Sequence, residues 1–206
     1  MCPGAGPECN VQHLVEKYLE FRCAEYKKGR ERLRRELSMT GFEVTQLLNQ
    51  YESIRRCLLY SEFFETLKSF LTVLNLTKQE LRRVLSNSMA SRMLRPNLNL
   101  VDALKRLMGD SFKLTPKQVV TLVGNNSAAS RIESDDFINA LKRLREKPFC
   151  LTSKQLVTLV GMGSVASRIE SDVFVGALLT YLQEHKMDRK LMIKYARKNA
   201  CTILKN

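Results

Sequence analysis

Histidine is nearly absent from this chain. His13 and His185 stand at opposite ends of the 206 residues, and neither has a partner at metal-ligand spacing. There is no HExxH, no glycine-rich phosphate loop and no CxxC pair. Zinc sites, nucleotide cradles and thiol redox centres are commonly built on those local arrangements. Their absence directs the reading away from an enzyme and away from any cofactor or bound metal. Long hydrophobic runs are missing too: no stretch of about 18 apolar residues occurs, so no membrane span is expected. The opening MCPGAGPECN lacks the apolar core of a secretion signal. The six cysteines (Cys2, Cys9, Cys23, Cys57, Cys150, Cys201) are scattered. Free thiols in a reducing, intracellular compartment are therefore expected. No segment alternates apolar and polar residues in the manner of a strand.

What the chain does have is positive charge. Lys and Arg number 34 against 21 Asp and Glu, a net charge of +13, within 44% hydrophobic and 27% charged residues. Such a balance suits a soluble protein with nucleic acid, anionic lipid or an acidic protein as partner. The charge is uneven, at +5 in residues 76–113 and again in 187–206, but −1 in 39–75 and zero in 151–186.

The chain also spells one stretch almost twice. LTPKQVVTLVGNNSAASRIESDDFINAL begins at Leu114, and LTSKQLVTLVGMGSVASRIESDVFVGAL begins 37 residues later at Leu151. Weaker copies open at Leu76-Thr77 and Met39-Thr40, and a half copy opens at Met187-Asp188. Periods of this size mark stacked supersecondary units that bury their apolar faces against one another. The expected organisation is a lead and basic capping helix in 1–38, repeats over 39–75, 76–113, 114–150 and 151–186, and a half repeat in 187–206.

Each repeat opens with T-x-x-[EQ]: Thr40 with Glu43, Thr77 with Glu80, Thr115 with Gln118, and Thr152 with Gln155. This spacing predicts a capping box, and Pro116 falls where a first helical residue tolerates proline. A second helix is expected to be capped by Ser134 and Ser171, with Ser61 and Asn97 in the same place earlier in the chain. Between the two helices, segments such as SAASRI read as one helical turn or an extension of the first helix. Residues 1–9 read as a flexible lead, followed by a helix carrying Val11, Leu14, Val15, Tyr18 and Leu19 at helical spacing. Its basic run (Lys27, Lys28, Arg30, Arg32, Arg34, Arg35) reads as a solvated face interleaved with glutamates, or as a phosphate-contacting or localisation segment. The fold expected is all-α: a right- or left-handed α-solenoid of about 37-residue two-helix repeats with capping ends.

Recurrence selects the candidate binding residues. Arg92, Arg131 and Arg168 occupy equivalent places, each after a serine (Ser130 and Ser167 in the later copies), as do Lys117, Lys154 and Lys190. Stacking would turn them into a positive stripe matched to the phosphates of a nucleic acid. The alternative is local pairing, since Asp135 and Asp172 lie four residues after Arg131 and Arg168. Calcium is not expected. At the EF-hand ligand places the chain has Asn125, Ser127 and Ala129, and then Met162, Ser164 and Ala166, where a hard cation needs mainly carboxylates.

LTPKQVVTLVGNN followed by Ile132-Glu133 resembles the repeat of TAL effectors and their TAL-like relatives, most clearly at 114–133 and 151–170. In that family a short helix, a base-facing loop and a longer helix wind around duplex DNA. The resemblance implies that Asn87-Ser88, Asn125-Asn126, Met162-Gly163 and Lys198-Asn199 face DNA, the first of each pair bracing the loop and the second approaching a base. Where the family places two glycines next, this chain has Ser127-Ala128 and Ser164-Val165. The L-T-x-x-[QE]-[LV] helix starts are also similar to mitochondrial transcription termination factor repeats. The function expected is non-enzymatic nucleic-acid binding, with duplex DNA favoured over RNA and a nuclear or nucleoid location if DNA is the ligand. The alternative is an adaptor that takes a partner helix or an acidic protein segment.

Overall fold

The computed structural model describes residues 7–85, 87–94, 99–161, 163–200 and 202–203, and among them every regular element is a helix. In chain order these are α1 (Pro7–Glu36), α2 (Gly41–Gln50), α3 (Glu52–Cys57), α4 (Ser61–Thr72), α5 (Lys78–Val84), α6 (Asn87–Arg92) and α7 (Asn99–Met108). They continue as α8 (Pro116–Val123), α9 (Asn126–Ala129), α10 (Asp135–Arg145), α11 (Ser153–Val160), α12 (Gly163–Ala166), α13 (Asp172–Glu184) and α14 (Arg189–Asn199).

All four capping boxes form. In α2, α5, α8 and α11 the threonine hydroxyl accepts from the N3 backbone N–H at 3.2–3.3 Å. The Glu or Gln oxygen accepts from the threonine N–H at 2.8–3.0 Å. Each box satisfies two backbone donors that a helix start otherwise leaves open. At α14 the same place is taken by Asp188, whose Oδ1 accepts from Leu191 N at 2.8 Å. Ser134 caps α10 through Phe137 N, and Ser171 stands at the N-cap of α13 without a side-chain bond. Ser61 does not cap. Helix α4 begins at Ser61 itself, with Tyr60 at the N-cap, which places the hydroxyl inside the first turn rather than ahead of it. Asn97 lies outside the described residues.

The segment between the two main helices, expected as one helical turn or an extension of the first helix, is a separate single turn, α9, which starts at Asn126 because Asn125 Oδ1 accepts from Ser127 N at 3.0 Å and Ala128 N at 3.2 Å. Helices α3, α6 and α12 occupy the same place between two longer neighbours. Residues 7–9, expected in a flexible lead, belong to α1 instead.

The join between one unit and the next has a signature of its own. Ser38, Asn75, Lys113, Cys150 and Lys186 all adopt positive φ, from 45° to 51°. They recur every 36–38 residues, each just ahead of a first helix. No glycine occupies these left-handed positions, where a Cβ is unfavourable. After the first four the following residue (Met39, Leu76, Leu114, Leu151) is buried, so the reversed backbone delivers an apolar side chain to the core; Met187, after the fifth, is half-buried.

Equivalent helices pack on one another. Among first helices, α5 packs on α8, α8 on α11 and α11 on α14; among short helices, α3 on α6, α6 on α9 and α9 on α12. One continuous core runs from Leu33 to Ile203, with Phe63, Phe64, Phe70, Phe112, Phe137 and Phe174 fully buried. The expected stripes of Val119, Val120, Leu122 and Val123, and of Leu156, Val157, Leu159 and Val160, all lie within it.

Candidate functional site

The recurring arginines and the recurring lysines, grouped together from the sequence, separate in space. Arg92 reaches forward to the following unit: its guanidinium is 3.4 Å from Glu133 and donates to Ser130 O at 3.1 Å. Its side chain is only 11% exposed. Arg131 pairs in the same way with Glu170, one unit on. Arg168 is half-buried in the corresponding place of the next copy. Asp135 and Asp172, offered as local partners, are taken by Arg106 at 3.0 Å and by Arg143, arginines that lie 29 residues earlier on α7 and α10. Arg92 and Arg131 therefore link units, and a phosphate would have to displace a glutamate to reach them. The hydroxyls of Ser130 and Ser167 are exposed and donate back to the preceding turn, to Ser127 O at 2.9 Å and Ser164 O at 3.1 Å.

In three of the four expected base-facing pairs a residue (Asn87, Asn126, Gly163) is the first of a helix rather than part of an open loop. Besides capping α9, Asn125 donates from Nδ2 to Gly161 O at 2.9 Å, which ties its loop to the end of α11. Asn126, the first residue of α9, is exposed. At Gly163 an added Cβ would come within 3.0 Å of Ser127 Oγ, so the close approach of α12 to α9 suits a residue without a side chain. Met162 lies outside the described residues, as do the side chains of Asn87 and Ser88. Asn199 is the last residue of α14 rather than part of a loop, with exposed Lys198 before it.

The lysines face outward. Lys117, Lys154 and Lys190 stand two residues after the caps of α8, α11 and α14, and all are exposed. Arg83 on α5 and Lys194 on α14 extend the set one turn further along, a recurrence the sequence hides because those places hold Thr121 and Thr158 on the intervening helices. Among the described residues none of these five side chains enters an ion pair. Between α11 and α14 the face opens into a groove of about 770 Å³ with Leu191 and Ile193 among its apolar lining and Lys154, Lys190, Lys194 and Arg197 around them. Such a groove presents several cations over apolar surface, which is chemistry for holding an extended polyanion.

Carboxylate chemistry lies at the other end of the molecule. The hydrogen bond from Lys68 holds Glu36 below the ordinary carboxylate range, and the backbone N–H and hydroxyl of Thr40 do the same for Glu43. Burial pushes the Cys57 thiol up, away from reactivity. Among the described residues no three His, Cys, Asp or Glu side chains form a metal-binding group, and no helix is long and apolar enough to cross a membrane. Comparison with family models, curated proteins and solved structures gives no match to this chain.

Proposed function

We propose that the chain is a non-enzymatic α-solenoid that binds nucleic acid, duplex DNA foremost, through the lysine face of its first helices. The observation that carries this reading is the set of exposed, unpaired cations at two adjacent helix positions: Lys117, Lys154 and Lys190 at one, Arg83 and Lys194 one turn further on. Packed helices stand about 8–10 Å apart, so the set repeats at a spacing suited to successive backbone contacts rather than to one small anion. The TAL-like resemblance supports the class of ligand. Phosphate contact is assigned to the lysines, and base contact to Asn126.

The test is a salt-titrated binding assay against duplex DNA, single strands and RNA. Changing Lys117, Lys154, Lys190 and Lys194 together to Gln is expected to lower the salt slope by about 3–4 and the affinity roughly 100-fold. Arg92→Ala with Arg131→Ala serves as the control, lowering the melting temperature while leaving the slope nearly unchanged. A quadruple variant with an unaltered slope removes the reading. Tighter binding of RNA keeps the face and changes the ligand. The second reading, a protein-interaction module, draws on the apolar surface of α1.

A further inference from the structure

Helix α1 is 30 residues long; its residues 11–24 are all exposed, and burial begins only beyond them. There Leu33 is buried, and a Cβ added at Gly29 would come within 2.8 Å of Leu58. By helical periodicity the same face continues toward the N-terminus as Val11, Leu14, Val15, Tyr18 and Leu19, with Phe21 at its margin. All six are exposed, and five of them keep more than half of their surface in solvent. Where this stripe meets the body it opens into a groove of about 530 Å³ between α1 and α3, lined in part by Leu19, Cys23, Tyr26, Leu58 and Leu59.

We propose that a second copy of this chain covers the stripe, the two α1 helices packing antiparallel about a two-fold axis near Tyr18. Residues 11 and 25 lie equally far from residue 18, about 10 Å at 1.5 Å per residue. A two-fold through Tyr18 therefore sets the Val11–Leu14 tip of each copy over the groove beside Cys23 and Tyr26 of the other. Projection and groove sit on one helix, which is the self-complementarity a two-fold interface needs. The six side chains offer roughly 600 Å² per copy, or about 1,200 Å² for the pair, within the range of specific interfaces.

Charge selects the same occupant. Residues 11–25 hold two basic and three acidic side chains, whereas the remainder of the chain carries a net +14. Two copies repel each other over most of their surface and meet without that penalty here, while a nucleic acid or an anionic membrane gains nothing from this segment. The pairing does not depend on the nucleic-acid reading.

Sedimentation equilibrium of the full chain up to about 100 µM, where complexes of micromolar dissociation constant are formed, is expected to give twice the chain mass. Leu14→Glu with Tyr18→Glu is expected to raise the dissociation constant roughly 100-fold or more with helical circular dichroism unchanged. Cross-linking reads the register. With Cys2, Cys9, Cys23 and Cys201 changed to serine, Tyr18→Cys forms an intermolecular disulfide readily and Val11→Cys does not, because residue 18 faces itself across the axis. A wild-type monomer at about 100 µM overturns the proposal. So does a Leu14→Glu, Tyr18→Glu variant that remains dimeric, or a Val11→Cys chain that cross-links faster than Tyr18→Cys.

Discussion

The two ends of the helix stack are finished differently. At the C-terminal end Tyr181 lies flat between Tyr195, with centroids 3.7 Å apart, and His185 at 4.0 Å. The preceding unit has buried Leu144 and Leu159 in the places of the two tyrosines. In those places the rings of Tyr181 and Tyr195 pack on each other and their hydroxyls hydrogen-bond, burial and the Tyr195 neighbour pushing the pKa of Tyr181 up. At the N-terminal end, α1 carries bare aliphatic and aromatic side chains into solvent. The contrast is between polar-tipped rings stacked on one another at one end and an uncovered apolar stripe at the other.

The largest test of this contrast removes the C-terminal finish. Tyr181→Ala with Tyr195→Ala is expected to cost about 2–4 kcal/mol, as loss of half-buried aromatic packing does. Thermal unfolding reads it, and a cost near zero would make the tyrosine stack ornamental and the ends alike. A smaller effect separates two latches of the same design. Arg189 and Lys78 are the first residues of α14 and α5, and each reaches back to a carbonyl of an earlier unit join, Phe149 O and Ser38 O, at 2.5 Å. The arginine bond is partly buried and the lysine bond exposed. Arg189→Ala is expected to cost about 1.5–2 kcal/mol and Lys78→Ala less than 1. Hydrogen exchange in α14 reports the first, and equal losses would erase the distinction.

The smallest effect is acid sensitivity at the N-terminal end. Glu36 and Glu43 have lowered pKa values, so their contribution is complete above the ordinary carboxylate value and is lost as pH falls through the lowered ones. Between about pH 5 and pH 2 the melting temperature of a Glu36→Gln, Glu43→Gln variant is expected to fall less steeply than that of the wild type. Parallel profiles would show that acid acts elsewhere.

Much of the fold was legible because its signals are short-range. A capping box spans four residues, and Thr40, Thr77, Thr115 and Thr152 form theirs as their spacing implies. Burial at Phe137, Ile138, Leu141 and Leu144 follows from helical periodicity within a single helix. The short middle helix was harder to see because four residues carry too little periodicity, and its start depends on one asparagine side chain. The candidate site was legible in half. Recurrence picked out both cations of each unit, but it does not say which of them has a glutamate waiting 39 or 41 residues further on.

The all-helical class and the four capping-box helix starts were determined by the sequence alone, since each depends on contacts within one or two turns of chain. The tertiary structure alone decided the partners of Arg92, Arg131, Arg106 and Arg143, the span of Asn125 to Gly161, and the left-handed residues that no glycine announces. It decided the open stripe of α1 as well, because Val11 to Leu19 continue a face that is core farther along the same helix. Whether an amphipathic side chain is buried, paired or bare depends on which helix arrives opposite it, and that is set by the register of stacking rather than by the chain near it.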